Sequence, residues 1–354
     1  MRRCFIPFMV RLVRRFFQAN KKLSQRIGMK IGALVALIVG LALAIFLILH
    51  IGFAQVFDAA AAVGWVGFGL ILLSAVPIII FLGLAWRTLV GPLASLWVFF
   101  ASRQLRDSAT DLLPFTQIGG VVIGARAGIL GGVPAITAYS SSMVDITCEI
   151  MAQAAFTVLG LLIGLTTLRA SPQMAPYANG VILGTVLLVP ALIAFVVLQR
   201  KGSKLATKIA AQFLPNAVAQ TEQFTTHLEV LYRQPVKLAL CSTFHLLAWI
   251  ASAAWLWVIF ALCGAKISFM DCIAIESLLA ALRAIMVFVP ASIGVQEAGY
   301  AAMAQVFGLG PEVGLAVSLL KRARDVVLGI PVLLIWQVME GRRAFAGDNA
   351  LEKP

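Results

Sequence analysis

The sequence predicts an all-α polytopic integral membrane protein, and two observations support that prediction. Of its 354 residues, 61% are hydrophobic and only 12% are charged, whereas an ordinary soluble domain has about 25% charged residues. The apolar residues also form runs long enough for a helix to cross a bilayer, which takes about 20 residues. The net charge of +13 comes from basic residues between these runs, where they set topology and contact lipid headgroups. We therefore expect no nucleic-acid partner.

Six apolar runs predict full transmembrane helices, and the rest of the chain is divided around them. The predicted spans are 31–50, 65–87, 134–167, 178–199, 238–262 and 312–339. The predicted regions are a basic segment 1–30, a first membrane repeat 31–168, a span 169–199 opening the second repeat, an amphipathic connector 200–237, the rest of the second repeat 238–340 and a tail 341–354. The positive-inside rule places the basic segment, the connector and both termini in the cytoplasm.

The basic segment 1–30 has apolar and basic residues at near-helical spacing and no acidic residue. This pattern indicates a cytoplasmic amphipathic helix on a membrane surface, in contact with anionic lipid headgroups. A transit peptide has a similar composition and is the alternative.

Two further apolar segments predict membrane-inserted helical hairpins. One surrounds the polar stretch RQLRDSATDLLPF (103–115) and the other surrounds VPASIG (289–294). Because six spans already return the chain to the cytoplasm, each segment must enter and leave the membrane on the same side. The second is also long enough for two full spans, which would leave the topology unchanged. About eight membrane segments result, and the two halves have the same order with opposite starting sides, which is an inverted-topology repeat.

Short internal similarities support this repeat. LLPFTQIGG (112–120) and VFVPASIGV (287–295) share an apolar run, a proline, a small polar residue and an Ile-Gly pair. In each half a second proline follows 20 or 21 residues later and opens a long predicted helix, where a first-turn proline is tolerated. These proline pairs are Pro114 with Pro134 and Pro290 with Pro311.

Small residues recur at every fourth position after the first proline of each pair. They are Gly120, Gly124, Gly128 and Gly132 in the first half, and Gly294, Ala298 and Ala302 in the second. Such a helix face allows another backbone to approach closely, which is explained by helix packing alone as well as by a binding site.

Ionisable residues lie inside the apolar segments, where each costs about 2.5–3.5 kcal/mol at the bilayer centre on insertion scales. Asp145 and Glu149 share one helix face, and KRARD (321–325) approaches the same depth from the opposite side. Two interpretations remain open: an acid of this pair neutralises an arginine of the other half, or a polar cavity between the halves receives a lipid headgroup. The predicted cavity residues are Pro114, Gly120, Arg126, Asp145, Glu149, Glu276, Arg283, Pro290, Gly294, Glu297, Arg322, Arg324 and Asp325.

Motifs for catalysis or metal binding are missing from the sequence. It has no Walker A, H-E-x-x-H or G-x-S-x-G motif, and its five cysteines and three histidines lack ligand spacing. We therefore expect no metal, no cofactor and no catalytic residue. Besides transport of a lipid through the predicted cavity, two other functions remain open. One is an intramembrane lipid-modifying enzyme using Asp145, Glu149 or Glu297 as acid or base, and the other is a non-catalytic scaffold of a lipid-biosynthesis complex.

The stretch VPASIGVQEAG (289–299) resembles the Pro-x-x-apolar-Gly-x-x-Glu signature of the transmembrane region of lysylphosphatidylglycerol synthases, the flippase-like domain family. The third span and KRARD (321–325) are also similar, and the resemblance covers about 31–340. Gln296 stands where much of the family has arginine, which weakens the case for an anionic-headgroup contact at that position. The matching positions are Pro290, Gly294 and Glu297, with Glu149 and Arg324 more loosely placed.

The resemblance implies a multi-span protein of the bacterial inner membrane that moves or handles lipids. Residues 112–133 and 144–153 resemble the branch associated with hopanoid biosynthesis, which implies a hopanoid or phospholipid as partner and lipid-biosynthesis enzymes as further partners. Full-length synthases carry a soluble aminoacyl-transferase domain after the membrane region. This sequence ends at Pro354, so we expect no aminoacylation and no enzyme activity.

Together, the residues and the resemblance predict lipid translocation or trafficking across the inner membrane. In this hypothesis the broken helices at Pro114–Gly120 and Pro290–Gly294 line a cavity, where backbone groups freed by proline and glycine bind polar headgroup atoms. Glu297, Glu149 and Arg126 are expected to set the charge of that cavity.

Overall fold

The computed structural model describes residues 58, 61–112, 117–170, 218–286 and 289–346, which are almost entirely helical and contain no strand. Their helices are α1 Gly64–Ser74, α2 Val76–Val90, α3 Leu96–Leu112, α4 Gln117–Leu130, α5 Ala135–Ala170, α6 Val218–Tyr232, α7 Pro235–Leu262, α8 Phe269–Ile285, α9 Val295–Val306 and α10 Pro311–Ala346, with a 3-10 turn at Pro290–Ser292 before α9. The predicted all-helical class is confirmed.

Three stretches of the described chain are long and apolar enough to cross a membrane. They are Gly64–Val90, which combines α1 and α2, then Ala135–Leu165 and Pro235–Leu262. They coincide with three predicted spans, and the predicted span 312–339 lies within the continuous helix α10. The predictions for 1–30, 31–50, 178–199, 347–354, Pro114 and most of the connector lie outside the described residues.

The polar stretch 103–115 does not interrupt a helix in the way that the sequence predicts. Residues up to Leu112 continue α3 without a break, and Arg103 is only 4% exposed. The interruption predicted over 103–115 therefore begins too early, because α3 continues through the first ten residues of this stretch. Here the arginines contact carboxylates on another helix, so their charges are neutralised within the protein.

The helices pack in two similar sets. In the first set α2 contacts α3, α3 lies along α4, and α4 contacts the 36-residue helix α5. In the second set α7 contacts α8, α8 contacts α9, and α9 lies along the 36-residue helix α10. The sets also exchange contacts, since α3 packs on α10, α8 packs on α5, and α2 packs on α7.

Glycines allow the closest of these approaches. A side chain at Gly329 of α10 would collide with Leu112 of α3, and one at Gly160 of α5 would collide with Ser277 of α8. Gly120, a predicted cavity residue, instead packs against Arg106 and Thr110 of α3. The structure therefore gives this part of the glycine stripe a packing role.

Candidate functional site

The break between α8 and α9 is a strained turn. Pro290 begins the turn, Ala291 and Ser292 have φ angles of 51° and 48°, and Gly294 has a φ of 79°. The left-handed region costs about 1–2 kcal/mol for a residue with a Cβ atom, so other contacts must hold this backbone in place. Glu297 supplies one, because its Oε2 accepts the Gly294 N–H at 2.7 Å.

Arg322 of α10 supplies the remaining contacts to this turn. Its guanidinium donates to the carbonyl oxygen of Ala291 at 3.2 and 3.3 Å and to that of Ser292 at 3.3 Å. It also forms an ion pair with Glu297. Glu297 is only 2% exposed, so its carboxylate stabilises the turn and does not face an open cavity. All these residues except Ala291 and Ser292 belong to the predicted cavity set, but the sequence does not predict which of them pair.

Gln296 connects the same turn to two helices. Its amide donates to Ser318 Oγ of α10 at 3.2 Å, and its oxygen accepts from Arg283 of α8 at 3.5 Å. The side chain at position 296 therefore carries no charge and already has hydrogen-bond partners in Ser318 and Arg283.

A buried ion pair lies deeper between α8 and α10. Lys321 Nζ donates to both carboxylate oxygens of Glu276, at 2.9 and 3.0 Å. Tyr300 of α9 and Ser252 of α7 also donate to this carboxylate, at 2.6 and 2.7 Å, and Lys321 lies 4.7 Å from the ring centroid of Trp255. Glu276 is thus fully bonded, and no sequence pattern indicates Ser252 or Tyr300 as its partners.

A second buried cluster joins α3 and α5. Arg103 donates to Asp145 at 3.1 Å and to Glu149 at 2.7 Å. Arg106 donates to the same two acids at 2.8 and 2.7 Å. The expectation that Asp145 or Glu149 would pair with an arginine of the other half is wrong, because α3 of the same half supplies both arginines. The other half contributes His245 of α7, whose Nε2 lies 2.9 Å from Asp145 Oδ1.

Asp145, Cys241 and His245 bring ligand-capable atoms within 4.8 Å of one another, close enough to hold a metal ion. However, Asp145 Oδ2 accepts from both arginines, so its charge is already offset. The expectation of no metal stays a prediction. A small cavity beside this cluster is lined by Trp86, Ser102, Arg103, Arg106, Ser142 and Asp145.

Arg126 is not part of either cluster. It pairs with Glu340 at 2.8 Å, and Glu340 follows Arg322 by 18 residues, or roughly 27 Å along α10 at 1.5 Å per residue. The structure thus separates Arg126 from Glu297, whereas a cavity shared by Arg126 and Glu149 stays a prediction. The Arg126–Glu340 pair joins α4 to the last turns of α10.

The remaining predicted residues Arg283, Arg324 and Asp325 form a partly exposed charged group with Asp111, which was not predicted. We call these four residues the central charges. Asp111, at the end of α3, interacts electrostatically with the other three. Arg324 donates to Asp325 at 2.8 Å and lies 5.1 Å from the Trp255 ring. The Nε atom of Arg324 is buried without a hydrogen-bond partner, so this arginine has unused donor capacity. The central charges lie where α3 contacts α10 and the turn before α9.

Comparison with known proteins gives one family. The model of the lysylphosphatidylglycerol synthase TM region matches residues 33–332. Neither curated proteins nor solved structures gave a match. The match covers most of the sequence and includes the Pro290, Gly294 and Glu297 turn with the Arg322 that holds it. The chain therefore belongs to the lysylphosphatidylglycerol synthase transmembrane-region family.

Proposed function

We propose that this protein moves a lipid between the leaflets of the bacterial inner membrane, with a hopanoid as the first cargo to test and a phospholipid as the second. The main support comes from the central charges. A lipid headgroup that crosses a bilayer needs polar partners at membrane depth, and charged residues there are costly unless paired or functional. Arg324 and Asp325 are 13% and 24% exposed, so a headgroup can reach them, and Nε of Arg324 still lacks a hydrogen-bond partner.

An inverted repeat is part of this proposal. Arg103 and Glu276 each lie seven residues after the first residue of their helix, α3 and α8. Asp145 and Lys321 lie 11 and 10 residues after Pro134 and Pro311. Each half thus pairs equivalent positions with the signs of the charges exchanged. The reciprocal packing of α3 on α10 and of α8 on α5 is also expected of two such repeats.

This arrangement supports movement between the halves rather than within them. Breaking a buried ion pair by removing one partner costs about 3–5 kcal/mol. Such pairs join α3 to α5 within the first half, and α8 and α9 to α10 within the second. Among the residues that the structure describes, fewer pairs join the halves: the contact of His245 with Asp145 and the partly exposed pair of Arg126 with Glu340. At the seams between the halves, α10 approaches α3 at Gly329 and α5 approaches α8 at Gly160. These glycines have no side chains that would resist sliding of the helices. Rocking at these seams would expose the central charges to one side and then to the other.

Transport is favoured over catalysis by the way the carboxylates are used. Asp145, Glu149, Glu276 and Glu297 each accept from a cationic side chain. A general base needs a lone pair that faces its substrate, whereas each of these four carboxylates is bonded to a cationic side chain. We extend the proposal to an inner-membrane location with both termini in the cytoplasm, which the basic segments support.

The proposal is tested first in cells. A strain lacking the protein should show an altered distribution of hopanoid or phospholipid between membrane fractions, with normal total synthesis. Unchanged hopanoid amount and distribution would reject the hopanoid as cargo. Loss of one covalent lipid species would instead indicate an enzyme.

A second test uses purified protein in liposomes that contain a leaflet-specific reporter lipid. Arg324→Gln should slow lipid exchange at least tenfold, because it removes one of the two guanidinium groups of the central charges. Arg233→Gln is the matched control, since Arg233 is 83% exposed in its side chain. Equal rates for folded Arg324→Gln and wild type would reject the site. A wild-type protein that exchanges no lipid would favour a scaffold.

A further inference from the structure

A third polar cluster lies apart from the central charges, on the far part of α10. Its centre is the ion pair in which Arg126 donates from Nε and Nη2 to Glu340 Oε1, at 3.1 and 2.8 Å. Tyr139 of α5 interacts electrostatically with both residues. Trp336 precedes Glu340 by four residues and therefore lies on the same face of α10. We call these four residues the seam cluster, because they join α4 and α5 to α10.

The seam cluster has an unusual surplus of unused hydrogen-bonding atoms. In the part of the chain that the structure describes, five buried side-chain atoms have no partner. Three of them belong to this cluster: Arg126 Nη1, Trp336 Nε1 and Glu340 Oε2. Buried polar atoms are nearly always bonded, so three such atoms at one location indicate a missing polar ligand.

The types of these atoms restrict the ligand. Arg126 Nη1 and Trp336 Nε1 are donors, and one of them is cationic, so they suit an anionic oxygen such as that of a phosphate. Glu340 Oε2 is an acceptor and needs an ammonium or hydroxyl donor. A simple anion would leave Oε2 of Glu340 without a donor, and a simple cation would leave Nη1 of Arg126 and Nε1 of Trp336 without an acceptor. A phosphodiester with an adjacent amine or hydroxyl satisfies all three atoms.

The surroundings of the cluster indicate that the ligand also has an apolar tail. Four large apolar residues on the same turns of α10 are between 47% and 60% exposed, namely Leu334, Ile335, Val338 and Met339. Tryptophan is also enriched where a membrane protein meets the headgroup layer. The side chains of Arg126 and Glu340 are 18% and 32% exposed, so the cluster borders that layer, and a headgroup reaches its buried atoms when these side chains shift.

We infer that the seam cluster binds the headgroup of a phospholipid carrying an amine or hydroxyl, with the lipid tail on the exposed apolar face of α10. Arg126 belongs to one half and Glu340 to the other, so this lipid lies at a seam that opens when the halves move. The role of this site as a lateral entry point for transported lipid rests on the proposed function, whereas its binding of a phospholipid does not.

Native mass spectrometry of the detergent-purified full chain tests the inference. The probes are phosphatidylethanolamine, phosphatidylglycerol, diacylglycerol and the soluble headgroup glycerophosphoethanolamine. We expect the first two to bind at least tenfold more tightly than the last two, because the site uses both the phosphate and the tail. Equal binding of diacylglycerol would show a tail site only, and equal binding of the soluble headgroup would show a phosphate-ester site. Either result would overturn the inference.

Variants locate the binding. Trp336→Phe keeps an aromatic ring and the Arg126–Glu340 ion pair while removing the indole N–H donor. It should weaken phosphatidylethanolamine binding about threefold to tenfold. Trp257→Phe is the matched control, because Trp257 is 45% exposed and donates to a backbone carbonyl in a loop. Arg126→Gln and Glu340→Gln should each weaken binding about tenfold, with Arg233→Gln and Glu229→Gln as controls. If Trp336→Phe binds like wild type, ordered water satisfies these atoms and the inference is wrong.

The outcomes separate this inference from the proposed function. If the seam variants lose lipid binding while wild-type protein moves no lipid in liposomes, the site stands and the transport proposal fails. If wild type moves lipid and every seam variant binds lipid normally, the transport proposal stands and the site fails.

Discussion

Arg322 forms an ion pair with Glu297 and, with the same guanidinium, donates to the carbonyl oxygens of Ala291 and Ser292. One side chain of α10 therefore holds both the start of α9 and the left-handed turn before it. The Pro-x-x-apolar-Gly-x-x-Glu signature thus describes a turn whose stability depends on a residue outside the signature.

Removing this ion pair should destabilise the fold. Glu297→Gln leaves Arg322 without its carboxylate, and because Arg322 is 26% exposed, the cost should lie below the ~3–5 kcal/mol of breaking a fully buried pair. We expect a clear loss of thermal stability in detergent, measured as a lower Tm. Glu229→Gln is the control, since Glu229 is 58% exposed and its partner Arg233 lies 3.9 Å away. Equal Tm values for the two variants would contradict this role for Arg322.

The Glu276–Lys321 pair allows a sharper test of burial. Lys321→Met should destabilise the protein by about 3–5 kcal/mol, because it leaves Glu276, at 1% exposure, without its cation. Replacing both residues with Glu276→Leu and Lys321→Met should recover part of the loss, since no charge then remains unpaired. Unfolding measurements on both singles and the double form a double-mutant cycle. A double variant as unstable as the sum of the singles would show that the two side chains act independently.

Part of this architecture could be predicted from sequence because it depends on local pattern. The apolar runs predict α5 and α7 within a few residues, and Pro290 and Gly294 predict a break that the structure shows between α8 and α9. Mid-membrane acids such as Asp145 and Glu149 were identified because charge in an apolar run is unusual.

The pairings could not be predicted because they are tertiary. Arg103 reaches Asp145 across 42 residues and Arg126 reaches Glu340 across 214, and one sequence contains no signal for either contact. The polar composition of 103–112 also indicates an interruption between apolar segments, since the carboxylates that neutralise Arg103 and Arg106 belong to α5. His245 shows no local ligand spacing in the sequence, because its partner Asp145 lies 100 residues away.

The glycine seams between the halves make a steric prediction. Gly329→Leu would place a side chain where Leu112 and Ser108 of α3 already lie, and overpacking of this kind costs about 1–3 kcal/mol. If α3 and α10 also move against each other, lipid exchange should fall more steeply than stability. Gly69→Ala is the control, because a Cβ atom there meets nothing within 4 Å. Normal exchange in a destabilised Gly329→Leu protein would show that this seam does not move.

The cluster around Asp145 predicts how the protein responds to metal ions. Asp145 accepts from Arg103 and Arg106 through one oxygen and contacts His245 and Cys241 through the other. A divalent cation bound at these three residues would have to lie close to two guanidinium groups, which repel it. We therefore expect neither a chelator nor added Zn²⁺ to change the Tm of the wild-type protein. A ligand that binds only the folded state raises the Tm, so an increase with Zn²⁺ that is lost in Cys241→Ser would show that a metal does bind here and that the arginines move aside to admit it.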